Sequence, residues 1–153
     1  MDYFPRILLA FFFRYLLNWF PAYRRAGARI RYLSSDFMCA QIELPCSWRT
    51  MNHYGFTWGG GIYAAIDPVY AVMLFKVFNG KYKILDKTAE INFLKPATST
   101  LNAKFKLTKR RIDLIKSQVE KTGHYQCVMN IKLEDENGNT CAICKKVISI
   151  KRH

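Results

Sequence analysis

The sequence predicts a single α+β domain in which antiparallel strands accompany one long apolar helix. About twenty mostly apolar residues follow a glycine-rich loop and end at Phe78, which is typical of a helix surrounded by other structure. Four later segments alternate apolar and polar residues with the period of two that half-buried strands have. A chain of 153 residues fits one domain, which we expect to span residues 1–153.

The composition narrows the classes of protein to consider. Half of the residues are hydrophobic and 15% are aromatic, which argues against a disordered chain despite the net charge of +13. Five cysteines at irregular spacing favour a reducing compartment over a disulfide framework, so we expect a cytoplasmic protein. Cys141 and Cys144 match C-x-x-C, but no second pair completes a zinc site. We therefore expect structural cysteines, no metal and no cofactor.

Residues 1–22 are predicted to contain an N-terminal amphipathic helix, with its clearest pattern over 5–19. Proline suits its first turn, and four residues at intervals of four form one narrow polar stripe. They are Arg6, Ala10, Arg14 and Asn18. Fifteen helical residues span about 22 Å, short of a hydrocarbon layer of about 30 Å, so a transmembrane span is not expected. Two arginines just before the small residues 26–28 argue against a cleaved secretion signal.

This helix is expected to pack on the domain or on a partner subunit. A peripheral position in a membrane surface is the alternative, because an amphipathic helix can bury its apolar face at the lipid boundary.

The remaining segments give the order of the fold. Residues 28–33 and 38–44 alternate around a turn-forming Ser-Ser-Asp cluster and are predicted to form a hairpin. The four later strands come as two pairs separated by a short amphipathic helix over 108–121, which Gly123 ends. These strands are predicted over 87–95, 99–107, 125–133 and 140–150.

The central helix, predicted over 58–78, carries the features that indicate chemistry. Glycines at its start suit a close approach to a ligand, and a helix N-terminus presents unpaired N–H groups, so an anion or oxyanion site is expected there. Asp67 lies two turns further on, where burying its carboxylate costs roughly several kcal/mol unless it is paired, protonated or near a solvent cleft. Pro68 removes one backbone hydrogen bond and predicts a kink. A core helix whose aspartate meets a hidden donor is the structural alternative.

One motif and the order of elements resemble a known family. Asn52-x-x-Gly55-x-x-Trp58-Gly59-Gly60, followed by Asp67, resembles the Asn-x-x-Gly-x-x-His-Gly-Gly pattern of hotdog acyl-CoA thioesterases of the phenylacetate-pathway type. The chain looks closest to an uncharacterised thioesterase-like branch, a domain of unknown function with an N-terminal helix. The resemblance implies a hotdog fold, in which a curled antiparallel sheet wraps the central helix. It also implies a homodimer or a tetramer, with acyl-CoA between subunits.

The resemblance also implies roles for single residues. Asp67 would be the general base or nucleophile, the backbone N–H of Gly60 would stabilise the thioester oxyanion, and Asn52 would orient the carbonyl or a water. Substrate contacts would come from the rest of the loop and from one lysine chosen by its charge. These are Thr57, Trp58, Gly59, Gly61 and Lys95. Trp58 replaces the family's histidine, and an indole can donate a hydrogen bond but cannot transfer a proton.

Two functions remain open at this point. The leading hypothesis is an acyl-CoA thioesterase for a fatty or aromatic acyl group, which predicts an apolar tunnel with basic residues at its mouth. The alternative is an inactive hotdog protein that binds an acyl chain or acyl-CoA without hydrolysing it. Trp58 favours the alternative, and Asp67 favours the enzyme. A third function, binding of an anionic membrane or a nucleic acid by the basic last third of the chain, is disfavoured because the lysines there are scattered among strand positions. No RNA-binding motif with stacking aromatics is found, so we expect no nucleic-acid partner.

Overall fold

A computed structural model describes residues 3–153 of the protein and, among these, the side chains of residues 6–153. The helices are α1 Tyr3–Trp19, α2 Pro21–Ala26, α3 Gly59–Ile66, α4 Val69–Val77 and α5 Lys109–Thr122. The strands are β1 Arg29–Leu33, β2 Cys39–Leu44, β3 Tyr82–Phe93, β4 Leu101–Lys106, β5 His124–Glu134 and β6 Thr140–Arg152.

The six strands form one antiparallel sheet in the order β1-β2-β4-β5-β6-β3. Alternate residues of β4 and β5 are buried, as the period of two predicts, and they pack in one core with the apolar residues of α3 and α4. This sheet around a central helix, preceded by an N-terminal helix, is the hotdog arrangement, so the predicted α+β fold class is confirmed.

The central helix is broken in its middle and is covered on one side by its own chain. It is divided into α3 and α4 at Asp67 and Pro68, where the proline was expected to produce a kink. The sheet covers one side of the helix, and a strip on the other side is exposed or half-buried in the single chain. The residues of this open strip are Gly60, Ala64, Asp67, Ala71 and Phe75. By length and composition Gly59–Val77 could cross a membrane, but its packing in the core identifies it as the central helix.

The N-terminal helix ends at Trp19, where the pattern over 5–19 ends. A separate helix begins at Pro21, which the sequence analysis missed. Phe20 between them has an extended conformation, with φ −58° and ψ 122°, because a residue before proline is disfavoured in the helical region. Gly27 then ends α2 at φ 85°, where a Cβ would lie 2.5 Å from the Thr50 side chain.

The other elements lie close to their predicted positions, with one exception. Strand β3 begins at Tyr82, five residues before the predicted start at 87. Charged residues at Lys83 and Asp86 hide the alternation there, but antiparallel pairing with β6 continues to the end of the sheet. The helix α5 begins and ends as expected, with the hydroxyl of Thr108 accepting from the N–H of Arg111 and Gly123 in the left-handed conformation.

Candidate active site

The loop before the central helix is held by Asn52. Its side-chain oxygen accepts from the N–H groups of Tyr54 at 3.0 Å and Phe56 at 3.4 Å, and its own N–H donates to the Phe56 carbonyl at 2.9 Å. The carboxamide oxygen is therefore engaged within the loop, which leaves the amide nitrogen to meet a ligand. The role predicted for Asn52 in orienting a carbonyl or a water stays a prediction.

The glycines at the start of α3 are required by two aromatic rings packed on their backbone. A Cβ on Gly60 or Gly61 would collide with the indole of Trp58, and a Cβ on Gly59 would lie 2.8 Å from the Phe93 ring. No side chain caps this helix start in the described chain, so its first N–H groups keep the unpaired character that suits an oxyanion. Trp58, which replaces the histidine of the family pattern, thus lies directly over the predicted oxyanion site.

A cavity of about 470 Å³ opens beside this loop. Three of the predicted substrate-binding residues line it, Thr57, Gly59 and Lys95, and most of the other lining residues are apolar. The hydroxyl of Thr57 is buried and has no hydrogen-bond partner among the described residues. The apolar tunnel with basic residues at its mouth stays a prediction, and this cavity has one lysine in its lining. Trp58 and Gly61 lie outside its lining.

Asp67 lies at the break between α3 and α4 and meets a fully buried lysine. Lys146 Nζ donates to Asp67 Oδ1 at 3.1 Å, to the Asp67 carbonyl, and to Asp86 Oδ2 at 2.6 Å. The Lys146 side chain is 0% exposed, whereas the side chains of Asp67 and Asp86 are 44% and 23% exposed. The hidden donor that the sequence left open is therefore Lys146, and the carboxylate it holds is also accessible to solvent.

Burial raises the pKa values of three groups in or beside this ion pair. Burial raises the pKa of Asp86 above its ordinary value, against the opposing effect of the hydrogen bond from Lys146, and its Oδ1 has no partner in the described chain. Burial raises the pKa of Tyr63, and the neighbouring Asp67 carboxylate raises it further. The Tyr63 ring centre lies 5.7 Å from Lys146 Nζ. Burial likewise raises the pKa of the Cys144 thiol.

The sequence analysis missed three residues near Asp67, namely Lys146, Asp86 and Tyr63, although the alternation of β6 contained a signal for Lys146. Cys144, Ile148 and Ile150 occupy the buried positions of β6, and Lys146 falls in the same alternation. A lysine at an inward position requires a buried anion, and Asp67 was the carboxylate without an assigned donor.

The structure places the predicted catalytic residues in two groups within one chain. Asn52 and Gly60 lie at the loop, whereas Asp67 lies seven residues beyond Gly60 along the same helical path, a rise of about 10 Å. One chain does not bring Asp67 and the N–H of Gly60 to a single carbonyl group. Both residues belong to the open strip that the sheet leaves uncovered.

Comparison with known proteins identifies the family of this chain. Residues 10–150 match the model of a domain of unknown function, DUF4442. The chain belongs to this family. Membership confirms the resemblance to an uncharacterised thioesterase-like branch, and no curated protein matches this DUF4442 chain.

Solved structures similar to the DUF4442 chain share its fold. A protein of unknown function from Pseudomonas aeruginosa, described as a probable thioesterase, is 20% identical with a TM-score of 0.83, covering 92% of this chain and 93% of that one. A thioesterase from Haemophilus influenzae is 16% identical with a TM-score of 0.67, covering 90% and 87%. A protein of unknown function from Chlorobaculum tepidum is 11% identical with a TM-score of 0.75, covering 97% and 94%. At these identities the comparison establishes the hotdog fold.

Proposed function

We propose that this DUF4442 protein is a cytoplasmic acyl-CoA thioesterase that hydrolyses the thioester of a fatty or aromatic acyl group. The observation that carries the proposal is Asp67, a half-exposed carboxylate at a break in the central helix, fixed by the buried Lys146. A helix start without a capping side chain and an apolar cavity beside it supply the other parts of an acyl-transfer site. Two of the similar solved structures also carry thioesterase in their names.

In the proposed reaction the ionised carboxylate of Asp67 acts on the thioester. As a general base it takes the proton of a water that attacks the carbonyl carbon, and the N–H of Gly60 donates to the resulting oxyanion. Collapse of this intermediate breaks the C–S bond and releases the acid and the CoA thiolate, which takes the proton from Asp67 and leaves as the thiol. As a nucleophile Asp67 would attack the same carbon directly, forming a mixed anhydride as the C–S bond breaks and CoA leaves as a thiolate that takes a proton from solvent. Water would then hydrolyse the anhydride, releasing the acid and the Asp67 carboxylate. In either case the bond from Lys146 Nζ to Asp67 Oδ1 at 3.1 Å fixes the position of the carboxylate for the step.

The proposed active unit is a homodimer, because Asp67 and Gly60 of one chain are about 10 Å apart along the helix. Asp67 of one protomer would then meet the glycine loop of the other. The open strip of the central helix supports this, since it is an apolar surface that already carries both residues. Strand β3 supports it too, because it ends the sheet and its outer edge has no partner strand within residues 3–153. Light scattering of the purified protein distinguishes a monomer from a dimer or a tetramer.

A second candidate function is binding of acyl-CoA without hydrolysis. Trp58 favours it, because its indole covers the helix start where the family pattern has a histidine. The two functions are separated by incubating the protein with short, long and aromatic acyl-CoAs and measuring free CoA and saturable binding in parallel. Release of CoA supports the enzyme. Saturable binding without release of CoA from any member of the panel would replace it with the binding protein.

A further inference from the structure

The N-terminal helix is packed with its polar side toward the protein. The Asn18 side chain donates to the Ile30 carbonyl at 3.0 Å and accepts from the Ile30 N–H at 2.7 Å, and Arg14 Nη1 donates to the Arg31 carbonyl at 2.6 Å. These bonds occupy the free edge of β1, the strand at one end of the sheet. Two residues of the predicted polar stripe, Arg14 and Asn18, therefore bind the sheet edge, and much of the apolar side of the helix is left outward.

The outward side of α1 is a continuous apolar surface, which we call the α1 apolar face. Its members recur at intervals of three and four, and each is more than half exposed. They are Leu8, Phe12, Tyr15, Leu16 and Trp19. A contiguous exposed apolar surface of this kind on a folded protein marks an interaction site.

A basic cleft of about 1020 Å³ adjoins the C-terminal end of this face. Arg24, Arg25, Arg29 and Arg49 line it, and none of its lining residues in the described chain is acidic. Two indoles complete it, Trp19 and Trp48, and the guanidinium groups of Arg24 and Arg49 lie 4.7 and 4.9 Å from their respective ring centres. From Arg6 to Ser35 the sequence contains arginines but no lysine, aspartate or glutamate.

We propose that α1 and this cleft bind the surface of an anionic phospholipid bilayer. The α1 apolar face would lie among the acyl chains near the headgroups, with the helix axis in the plane of the membrane. Tryptophan and tyrosine favour this boundary, and guanidinium groups bind phosphate oxygens with two parallel hydrogen bonds. With α1 at this position in the bilayer, the cleft would lie at the level of the headgroups and bind lipid phosphates. This binding is independent of the proposed hydrolysis.

Charge decides between a membrane and a second copy of the chain. A two-fold interface places the same surface patch on both partners, so the arginines beside the α1 apolar face would approach their own copies. A bilayer with anionic lipids supplies the opposite charge across the whole surface. The open edge of β3, one part of the proposed homodimer interface, lies at the other end of the sheet from β1 and α1.

The test uses the full chain and vesicles made either of phosphatidylcholine alone or of two parts phosphatidylcholine to one part phosphatidylserine. We expect the protein to sediment with the mixed vesicles, with weaker binding to the neutral ones.

Arg24→Gln with Arg25→Gln should weaken partitioning by about fivefold per arginine, or about 30-fold together. Phe12→Ser with Leu16→Ser should abolish insertion, detected as loss of quenching of tryptophan fluorescence by brominated lipids. The matched control is Lys109→Gln with Arg110→Gln, which removes the same charge from exposed positions of α5 and should change binding much less.

Three results would overturn the proposal. One is a wild type that does not bind mixed vesicles, and another is equal weakening by the α1 pair and the α5 pair, which would reduce the effect to net charge. The third is a lipid-free assembly, measured by light scattering, that Phe12→Ser with Leu16→Ser divides into smaller units, since the α1 apolar face would then join copies of this chain. Circular dichroism of each variant establishes that the fold is retained.

Discussion

Replacing Lys146 with methionine removes the cation that holds Asp67 and Asp86 together. Breaking a buried ion pair from one side costs about 3–5 kcal/mol, because the remaining charge is buried without compensation. The Asp67 side chain is 44% exposed, so water screens its part of the interaction, and most of the loss comes from Asp86, which is 23% exposed. We therefore expect a loss of about 3 kcal/mol in the free energy of unfolding, and a fall in Tm of about 6–12 °C for a domain of this size.

Urea unfolding of the Lys146→Met variant at acidic and at neutral pH measures this loss and its origin. Burial raises the pKa of Asp86 in the folded state above its value in the unfolded state. At pH values between these two pKa values, the native protein holds a proton that the unfolded protein has released. Stability contributed by this group therefore falls as pH rises through that window, and without Lys146 the window widens. The variant should lose less stability at acidic pH, and adding Asp86→Asn should restore part of the loss at neutral pH.

The matched control is Lys145→Met, which removes the same charge from an exposed position one residue earlier on β6. It should change the free energy of unfolding by less than about 0.5 kcal/mol. Equal losses in the two variants, or a Lys146→Met variant whose loss does not depend on pH, would refute the assignment of a buried ion pair.

Three further predictions follow from the loop and the surface. Trp58→His restores the family's proton-transferring side chain and should raise kcat for CoA release by up to about 10²-fold, whereas Trp58→Phe should not. Gly60→Ala should lower Tm because its Cβ meets the Trp58 indole, and combining it with Trp58→Ala should recover part of the loss, as thermal unfolding of the single and double variants will show. Hydrogen bonding to Lys81 lowers the pKa of Glu120 to about 2, so its stabilising contribution should be lost only as pH falls from the ordinary glutamate value toward 2, with an NMR titration as the measurement.

Periodicity predicted most of the fold because each correctly placed element has a local signal. The strands β4 and β5 alternate without interruption, and α5 has a capping threonine and a terminal glycine within its own sequence. The end of α1 at Trp19 agrees with the pattern over 5–19, whereas α2 was missed because its six residues, Pro21–Ala26, are too few to show a helical period.

The candidate site could be predicted only in part. The loop and Asp67 belong to one short stretch, so a linear motif reveals them. Lys146 reaches Asp67 from 79 residues away, and only the fold makes that contact visible. The open strip of the central helix could not be distinguished from a covered one, because apolar residues suit a helix covered by its own sheet and one covered by another chain equally well.

The central claim is that Asp67 carries out acyl-CoA hydrolysis, and release of free CoA by an Asp67→Asn variant tests it most directly. The control is Asp113→Asn, an exposed aspartate on α5 whose loss removes the same charge far from the loop. The account predicts that the wild type and the Asp113→Asn variant release CoA from the same acyl-CoAs, and that the Asp67→Asn variant releases none while keeping its fold. Undiminished release of CoA by a folded Asp67→Asn variant would contradict it.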